Sequence, residues 1–492
     1  MYSEVIEFDL RGLLAVLDSR HSRLFTSWST EYDRRARKTK KVDEVFCVDL
    51  SEDKIGVGVG SLITLQQMNP LYRFKVREVI SGLPVSKLSI ADTGSVSLRW
   101  YQQEALNSIA SARVGIVEIP TGGGKTLVML TTAMSARDSG NVLIIVPTKT
   151  NQEEVYKNAE SLDLEVRDYI SGRDKLDKDK GVIYLGSARS ISNDLRSGSN
   201  KDVIDSITTV LWDEVHHIQS PTYHNVLLSL TNLSRSIGFS GTPLDDESKS
   251  RRFSSYAEIP VRDALVYSGG GPIIYSIHSS SIGSYIDKPT VLEIPFKWTN
   301  TGGLEFSNDW HRVSKKINSN INRIEYISKL ICRLDAIGKS TICPVENKQL
   351  GVDIAARSEL GSKIICWYGN EEIFYPDSEL RISYKETIDR INKGDIQHVV
   401  ATSHMNESAN LPDMSVCILH SGRKARLSRQ RAGRVARVGN SKSYVINVRD
   451  SLPLLESQSR SRSRGISEYF GSKIIRINNL DQLVSYVQRD GK

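Results

Sequence analysis

Residues 116–126 read Ile-Val-Glu-Ile-Pro-Thr-Gly-Gly-Gly-Lys-Thr, and this stretch decides the fold of the chain. The apolar residues that open it predict a buried strand, which the glycine turn ends. Because Gly122, Gly123 and Gly124 have no Cβ, their backbone N–H groups can converge on phosphate oxygens. The stretch therefore predicts a strand, a phosphate-binding turn and a helix in succession.

The residues around these glycines predict a nucleotide site. Lys125 is expected to reach the β- and γ-phosphates, and the Thr126 hydroxyl to hold Mg²⁺. Thr121 opens the turn, and the N-terminal end of the following helix favours the same anion. ATP with Mg²⁺ is therefore the expected cofactor. The usual phosphate-loop pattern has glycine at position 119, where this chain has Ile119, so the motif needs support from downstream residues.

Composition sets the class of protein. The 492 residues suffice for two to four domains, and 39% hydrophobic with 25% charged residues is typical of a soluble globular chain. No apolar run approaches ~18 residues, and the N-terminus is acidic, so we expect no membrane span, no signal peptide and a cytoplasmic location. Five cysteines without Cys-x-x-Cys spacing predict reduced thiols rather than a zinc site. The net charge of +7 permits a polyanionic partner.

Two adjacent carboxylates end another apolar run. Asp213 and Glu214 follow Val-Leu-Trp, and such a pair is costly to bury without a cation or counter-charge. Asp213 is expected to bind the Mg²⁺ of the nucleotide, and Glu214 to take a proton from attacking water. His216 is interpreted as a hydrogen bonder that senses the γ-phosphate, in preference to a metal site with His217.

Polar residues also end three neighbouring apolar runs. They are Pro147-Thr148, Ser187, and Ser240-Gly241-Thr242. The carboxyl edge of a parallel sheet is where α/β proteins present ligand contacts, so these residues are expected at one edge. Upstream, Gln102 follows Arg99 at the start of a predicted helix, and its amide can pair with an adenine edge.

The pattern of alternating strands and helices resumes after a Ser- and Gly-rich region, residues 265–295, which is interpreted as a hinge. This predicts an α/β fold with two doubly wound domains in tandem after a small α+β domain. The expected boundaries are 1–95 for the N-terminal domain, 96–288 for the first doubly wound domain, which binds the nucleotide, and 289–492 for the second, with its tail. Within that tail, the Ser/Arg-rich residues 457–465 predict a linker.

A basic segment in the second domain predicts an anionic partner. Residues 421–444 contain no acid, and helical spacing places Gln430, Arg434 and Arg437 on one face. Guanidinium groups there are expected to stabilise charge on the γ-phosphate in the transition state. The alternative is a basic helix that is merely solvated.

A second basic run lies in the N-terminal domain and includes Arg34, Arg35, Arg37 and Lys38. It is either a solvated loop or a loop that neutralises phosphates beside a small sheet. Apolar runs at residues 45–50 and 55–65, joined by a polar turn, predict a hairpin next to it.

In this order, the motifs resemble those of superfamily 2 helicases, and most of all the phage UvsW-type helicases with their RadD and XPB relatives. The series comprises Arg99-x-x-Gln102, Pro-Thr-Gly-Gly-Gly-Lys-Thr, Pro147-Thr148, Asp213-Glu214-Val215-His216, Ser240-Gly241-Thr242-Pro243, Thr402 and residues 430–437. The resemblance spans residues 95–450 and implies two RecA-like domains. Asn410 stands where the family usually has an aspartate.

The resemblance implies roles for several residues. It places Pro147, Thr148, Ser187 and Thr402 on single-stranded nucleic acid, Ser240 and Thr242 in coupling, and Arg99 and Gln102 at the base. It also implies a phage-encoded, monomeric, 3′–5′ DNA helicase that acts on forks or junctions in replication, recombination or repair. An RNA helicase, or a non-catalytic nucleic-acid-binding module switched by ATP, stays open as an alternative.

Overall fold

The computed structural model describes residues 4–11, 13–33, 38–81, 87–172, 180–244, 253–283, 285–286, 288–298, 310–368, 372–376, 381–402, 414–421, 425–436 and 442–490. The chain divides into two compact units. The first comprises Met1–Ile119 and Gly124–Ile277, and the second comprises Pro120–Gly123 and His278–Lys492. The domain boundaries expected after residues 95 and 288 stay predictions. No helix in these described ranges is long and apolar enough to cross a membrane.

A small α+β domain precedes the nucleotide motifs. Its elements are β1 (Glu4–Arg11), β2 (Leu14–Asp18), β3 (Thr26–Asp33), β4 (Lys38–Val45), β5 (Val48–Ser51), β6 (Lys54–Gly58), α1 (Val59–Met68) and β7 (Tyr72–Ser81). Five strands form a sheet in the order β5-β6-β2-β1-β7, while β3 and β4 form a separate antiparallel ribbon.

The structure corrects two expectations for this domain. The β5–β6 hairpin is confirmed, but the apolar run at residues 55–65 leaves the strand at Gly58 and continues as α1. Tertiary packing explains the change, because a Cβ at Gly58 would lie 2.0 Å from the Ser268 carbonyl oxygen. Lys38 begins strand β4 rather than lying in a loop. The expectations for Arg34, Arg35 and Arg37 fall outside the described residues.

The first RecA-like domain is a parallel sheet between helices. Its elements are α2 (Trp100–Ala110), β8 (Val114–Glu118), α3 (Lys125–Ala136), β9 (Asn141–Ile145), α4 (Lys149–Ser161), β10 (Arg167–Asp168), β11 (Ile183–Gly186), α5 (Ala188–Ser197), α6 (Lys201–Ser206), β12 (Ile207–Asp213), α7 (Pro221–Ser229), β13 (Arg235–Ser240), α8 (Val261–Gly270) and β14 (Ile273–Ser276). The strand order is β10-β11-β9-β12-β13-β8-β14. The five central strands are buried along their whole length, as expected for strands covered on both faces.

The N-terminal domain packs against this sheet through α1 and α8. Tyr256 donates a hydrogen bond from its hydroxyl to the Ser61 carbonyl oxygen (2.9 Å), and its ring stands edge-on to Phe46 at 4.9 Å. The Ser27 hydroxyl at the base of the β3–β4 ribbon donates to the Ile259 carbonyl oxygen (2.5 Å). The base of the ribbon is therefore fixed to the first motor domain.

The second RecA-like domain has the same alternation of strands and helices. Its elements are β15 (Thr290–Phe296), α9 (Trp310–Asn318), α10 (Ile321–Asp335), β16 (Thr341–Pro344), α11 (Lys348–Ala356), β17 (Ile364–Tyr368), β18 (Glu372–Phe374), α12 (Tyr384–Asn392), β19 (His398–Ala401), β20 (Val416–Leu419), α13 (Ala425–Ala432), β21 (Tyr444–Asp450), α14 (Pro453–Phe470), β22 (Ile474–Arg476) and α15 (Leu480–Asp490). The strand order is β18-β17-β19-β16-β20-β21-β15-β22, parallel except for β18.

Two segments expected to be irregular contain regular elements. The Ser- and Gly-rich region includes the end of α8, β14 and the start of β15, and the boundary between the two compact units falls within it, after Ile277. The predicted linker at residues 457–465 lies inside α14, where Arg462 is 2% exposed and donates from Nε to Asn447 Oδ1 (2.9 Å). Composition indicated flexibility there, but buried partners on the neighbouring strand determine the helix.

Candidate active site

The phosphate loop follows β8 as the sequence predicts. Gly122 and Gly124 adopt left-handed backbone conformations with φ of +81° and +80°. A Cβ at Gly122 would meet nothing within 4 Å, so the turn has open space at that position. Lys125 and Thr126 form the first turn of α3, whose N-cap is Gly124. The loop therefore has the backbone geometry that a phosphate cradle requires.

The helix that precedes the loop is tied to it by Gln102. This side chain is 2% exposed; its Oε1 accepts from the Arg99 backbone N–H (2.8 Å), and its Nε2 lies 3.5 Å from the Gly124 carbonyl oxygen. The Arg99 guanidinium donates to the Tyr101 hydroxyl (2.8 Å). Gln102 thus links α2 to the phosphate loop, while its contact with a base stays a prediction.

The acidic pair lies at the carboxyl end of β12. Glu214 Oε1 is 3.8 Å from Lys125 Nζ, and both side chains are about nine-tenths buried. The Glu214 backbone is left-handed, with φ 48° and ψ 58°, which is an unfavourable conformation for a residue with a Cβ. Burial, and then the adjacent Glu214 carboxylate, raise the pKa of Asp213. Lys125, Asp213 and Glu214, which were expected to lie close together, do so within the first compact unit.

A hydrogen-bonded group surrounds Glu214. Ser240 Oγ donates to Glu214 Oε2 (2.8 Å), and His216 Nδ1 is 3.3 Å from both of these oxygens. The Thr242 backbone N–H donates to Ser240 Oγ (3.2 Å). The three residues expected to act in coupling therefore lie together. The His216 ring stacks on His217 at 4.6 Å rather than diverging from it.

Three of the residues predicted to contact single-stranded nucleic acid lie where helices begin, along the same edge of the first sheet. Thr148 and Ser187 are the N-caps of α4 and α5, and Pro147 immediately precedes Thr148. In the second unit, Thr402 follows β19, and its backbone N–H donates to the Trp367 carbonyl oxygen (3.2 Å). Their contacts with nucleic acid stay predictions.

One residue at this edge was missed by sequence reasoning. Asn151, on the first turn of α4, donates from Nδ2 to Asp213 Oδ2 (2.8 Å) and accepts at Oδ1 from the Thr148 hydroxyl (2.5 Å). The available signal was the Thr-x-x-Asn spacing, which is that of a helix N-cap with a reciprocal partner.

The prediction that Gln430 and Arg434 lie on one face of a single helix is wrong. Gln430 lies in α13, but this helix ends at Ala432, so Arg434 is in the following turn rather than one helical turn further along the same face. Both side chains are buried, at 4% and 7% exposure. Within the described chain, Gln430 Oε1 has no hydrogen-bond partner. Arg437 and Asn410 are outside the described residues.

Comparison with known proteins agrees with the motif series. Residues 95–245 match the family described as "Type III restriction enzyme, res subunit". The DNA 3′–5′ translocase XPB2 of Sulfurisphaera tokodaii is 24% identical over 402 residues, which cover 75% of this chain and 84% of that protein. A putative helicase of a Sulfolobus islandicus filamentous virus is 22% identical over 400 residues, covering 76% and 68%.

Among solved structures, S. cerevisiae Dbp5 bound to RNA and ADP BeF3 superposes with a TM-score of 0.55 at 14% identity, over 80% of this chain and 93% of Dbp5. That similarity concerns the tandem RecA-like fold alone. The ordered motifs, the family match over residues 95–245 and the XPB relatives agree on an ATP-dependent helicase, and the chain is similar to the helicases of superfamily 2.

Proposed function

We propose that this chain is a DNA helicase or translocase that acts on branched DNA, with 3′–5′ polarity. The observation that carries the motor chemistry is the buried Lys125–Glu214 pair beside Asp213 at the end of β12. The relatives that support DNA over RNA are named as a DNA 3′–5′ translocase and a DNA 3′–5′ helicase.

On the nucleotide side, the residues present fit ATP with Mg²⁺. Gly122 and Gly124 have the left-handed backbone conformation of a phosphate-binding turn, and Lys125 brings a cation to a largely buried acidic pair. Thr126 and Asp213 supply the hard oxygen ligands that Mg²⁺ takes together with nucleotide phosphates. When bound, the metal supplies positive charge for the phosphate oxygens. Arg99, Gln102 and Thr121 complete the proposed nucleotide contacts.

Glu214 is the proposed general base. Its Oε2 is held by the Ser240 hydroxyl and its Oε1 faces Lys125, so the carboxylate has one fixed orientation. A carboxylate in that orientation can accept a proton from the water that attacks the γ-phosphate. The left-handed backbone at Glu214 is consistent with this role, because strained residues cluster at functional sites.

Gln430, Arg434 and Arg437 are proposed to contact the γ-phosphate and stabilise its charge during hydrolysis, as the family resemblance implies. Planar, permanently charged guanidinium groups suit that task. Substituting Arg434 with lysine keeps the charge and removes the planar fork, so turnover is expected to fall while ATP affinity changes little.

Strand binding is proposed at Pro147, Thr148, Ser187 and Thr402. Helix N-termini such as those capped by Thr148 and Ser187 favour phosphate oxygens. Contacts of this kind are independent of base sequence and weaken steeply with salt.

The N-terminal domain is proposed to give the preference for branched DNA. Lys38 begins β4 of the β3–β4 ribbon, and Arg34, Arg35 and Arg37 precede it in the sequence. The base of the ribbon is fixed to the first RecA-like domain by the Ser27–Ile259 bond. A cationic segment on a ribbon anchored in this way can contact a duplex arm while the motor tracks one strand.

The test is a panel of single-stranded, duplex, forked and four-way DNA, with matched RNA, scored for ATPase stimulation and strand separation by the full chain. We expect stimulation by single-stranded DNA and the fastest separation on forked or four-way substrates. Replacing the four basic residues by glutamine should remove the branched preference and leave stimulation by single strands intact. Stimulation by RNA alone would instead favour an RNA helicase, and ATP binding without phosphate release would favour a non-catalytic switch.

A further inference from the structure

Asn151 connects Thr148 and Asp213, at the carboxyl ends of the neighbouring strands β9 and β12, through its two amide atoms. Its Nδ2 donates to Asp213 Oδ2 at 2.8 Å, and its Oδ1 accepts from the Thr148 hydroxyl at 2.5 Å. Its backbone N–H also donates to Thr148 Oγ1 at 3.2 Å. Asn151 is 6% exposed and Asp213 is 9% exposed. A continuous series of hydrogen bonds therefore runs from the half-buried Thr148 to the buried Asp213.

Helix capping alone does not account for an asparagine at this position. The neighbouring helix α5 has the same arrangement, with Ser187 as N-cap and Ser190 three residues later. There a serine suffices: the Ser190 backbone N–H donates to Ser187 Oγ at 3.1 Å, and the two hydroxyl oxygens are 3.0 Å apart. What the longer Asn151 side chain adds at the corresponding position of α4 is the bond to Asp213.

The Thr148 hydroxyl makes this series of hydrogen bonds sensitive to a bound nucleic-acid phosphate. A hydroxyl has a single hydrogen, so it can donate either to Asn151 Oδ1 or to a phosphate oxygen, but not fully to both. When a strand phosphate takes that hydrogen, the bond from the Thr148 hydroxyl to Asn151 Oδ1 is lost, and Thr148 no longer orients the amide. The other Asp213 oxygen accepts from the Glu214 backbone N–H (3.1 Å), so the carboxylate keeps one fixed contact.

We propose that Asn151 is a positioning residue that transmits strand binding at Thr148 to Asp213. The inference rests on the proposed function, because it takes Thr148 as a strand contact and Asp213 as the residue that faces the nucleotide. Coupling of this kind is reciprocal: if strand binding changes the affinity for the nucleotide by some factor, then nucleotide binding changes the affinity for the strand by the same factor. The link is separate from the Ser240–Glu214 contact, which reaches the other carboxylate.

The test uses the full chain with substitutions that separate capping from transmission. Asn151→Ser keeps a hydroxyl that can bond the N-cap Thr148 as Ser190 bonds the N-cap Ser187 of α5, but it is too short to reach Asp213; Asn151→Ala removes both side-chain contacts. Ser190→Ala is the matched control on α5. Two quantities are measured for each: the ratio of ATPase rates with and without oligo(dT), and the ratio of oligo(dT) Kd values with and without a non-hydrolysable ATP analogue and Mg²⁺.

We expect Asn151→Ser and Asn151→Ala to move both ratios toward one by about fivefold or more, the lower range of coupling between two binding sites. Ser190→Ala should retain both ratios, and circular dichroism should show the wild-type fold for all variants. If Asn151→Ser retains the wild-type ratios, Asn151 is only a capping residue and the proposal is wrong. If the wild-type chain itself shows neither stimulation nor DNA binding, the proposed function fails and this inference fails with it.

Discussion

Ser240 Oγ donates a 2.8 Å hydrogen bond to Glu214 Oε2, joining the ends of the neighbouring parallel strands β13 and β12. Both residues are buried, and Ser240 is fully inaccessible to solvent. The serine also accepts from the Thr242 backbone N–H, so its hydroxyl hydrogen is directed at the carboxylate. The orientation of the proposed base is thus set by a residue outside its own strand.

Removing that hydroxyl should slow turnover without weakening ATP binding. A hydrogen bond to a charged group contributes about 1.5–3 kcal/mol, so loss of even the smaller amount in the transition state predicts a fall in kcat of about tenfold for Ser240→Ala. KM for ATP should stay within about threefold, because the contact is to the base rather than to substrate. Steady-state phosphate release measures both constants. Ser240→Thr, which keeps a hydroxyl, should recover much of the loss; an Ala variant with wild-type kcat would contradict the orientation argument.

Neutralising the base itself should have a larger effect. Glu214→Gln retains the shape of the side chain and its bond from Ser240 but can no longer accept a proton, so kcat should fall by about 10²-fold or more. Binding of a fluorescent ATP analogue should persist, since the Gln side chain removes a charge that opposes the triphosphate. Glu153→Gln, which changes an exposed acid on α4, is the control and should leave both measurements unchanged. Normal turnover in Glu214→Gln would show that a group other than Glu214 is the general base.

Local sequence was sufficient where the chain alternates apolar strands with polar ends. The strands that carry Asp213, Thr148 and Ser187 were predicted because their burial makes them continuous apolar runs. Local sequence was insufficient where a distant partner decides the conformation. The run after Gly58 is apolar in either state, and what distinguishes it lies far away in sequence: Gly58 and Gly60 lie directly against the backbone of α8. Pattern alone cannot separate a buried strand from a buried helix.

The same limit applies to side chains whose partners are far away in sequence. Arg462 was placed in a flexible linker by its Ser/Arg-rich neighbours, yet its Nε donates to Asn447 on β21 and its Nη2 to the Val448 carbonyl oxygen (3.1 Å). Asn151 was overlooked because an asparagine in a first helical turn is ordinarily read as a capping residue. Its bond to Asp213 spans 62 residues and becomes visible only once the strand order places β9 beside β12.

The second unit depends on a buried ion pair that should be sensitive to removal of one partner. Arg323 and Asp450 are 1% and 2% exposed; the Arg323 guanidinium also donates to the His420 carbonyl oxygen, just before the segment that leads to α13. Asp450→Ala would leave the guanidinium buried without its counter-charge, at a cost of about 3–5 kcal/mol. Urea unfolding followed by circular dichroism measures the loss.

Two controls distinguish charge burial from general damage to the second unit. Glu456→Ala breaks a pair whose Arg460 partner is 68% exposed, and such surface pairs contribute below about 1 kcal/mol. Combining Arg323→Met with Asp450→Leu removes both charges, so it should recover a large part of the stability lost in Asp450→Ala. If the double variant is as unstable as the single one, shape rather than charge determines the cost.

Acid should destabilise the first unit through His224. Burial lowers the pKa of this imidazole to about 4, and its Nδ1 has no hydrogen-bond partner in the described part of the chain. The unfolded chain, with a histidine pKa near ~6.5, binds more protons than the folded chain between about pH 6.5 and pH 4, so stability falls as the pH drops through that window. The loss is up to roughly 3 kcal/mol. His224→Leu should flatten the dependence in urea unfolding between pH 7.5 and 5, whereas His278→Gln, at an exposed position, should preserve it. Equal slopes in wild type and His224→Leu would show that other groups govern the acid response.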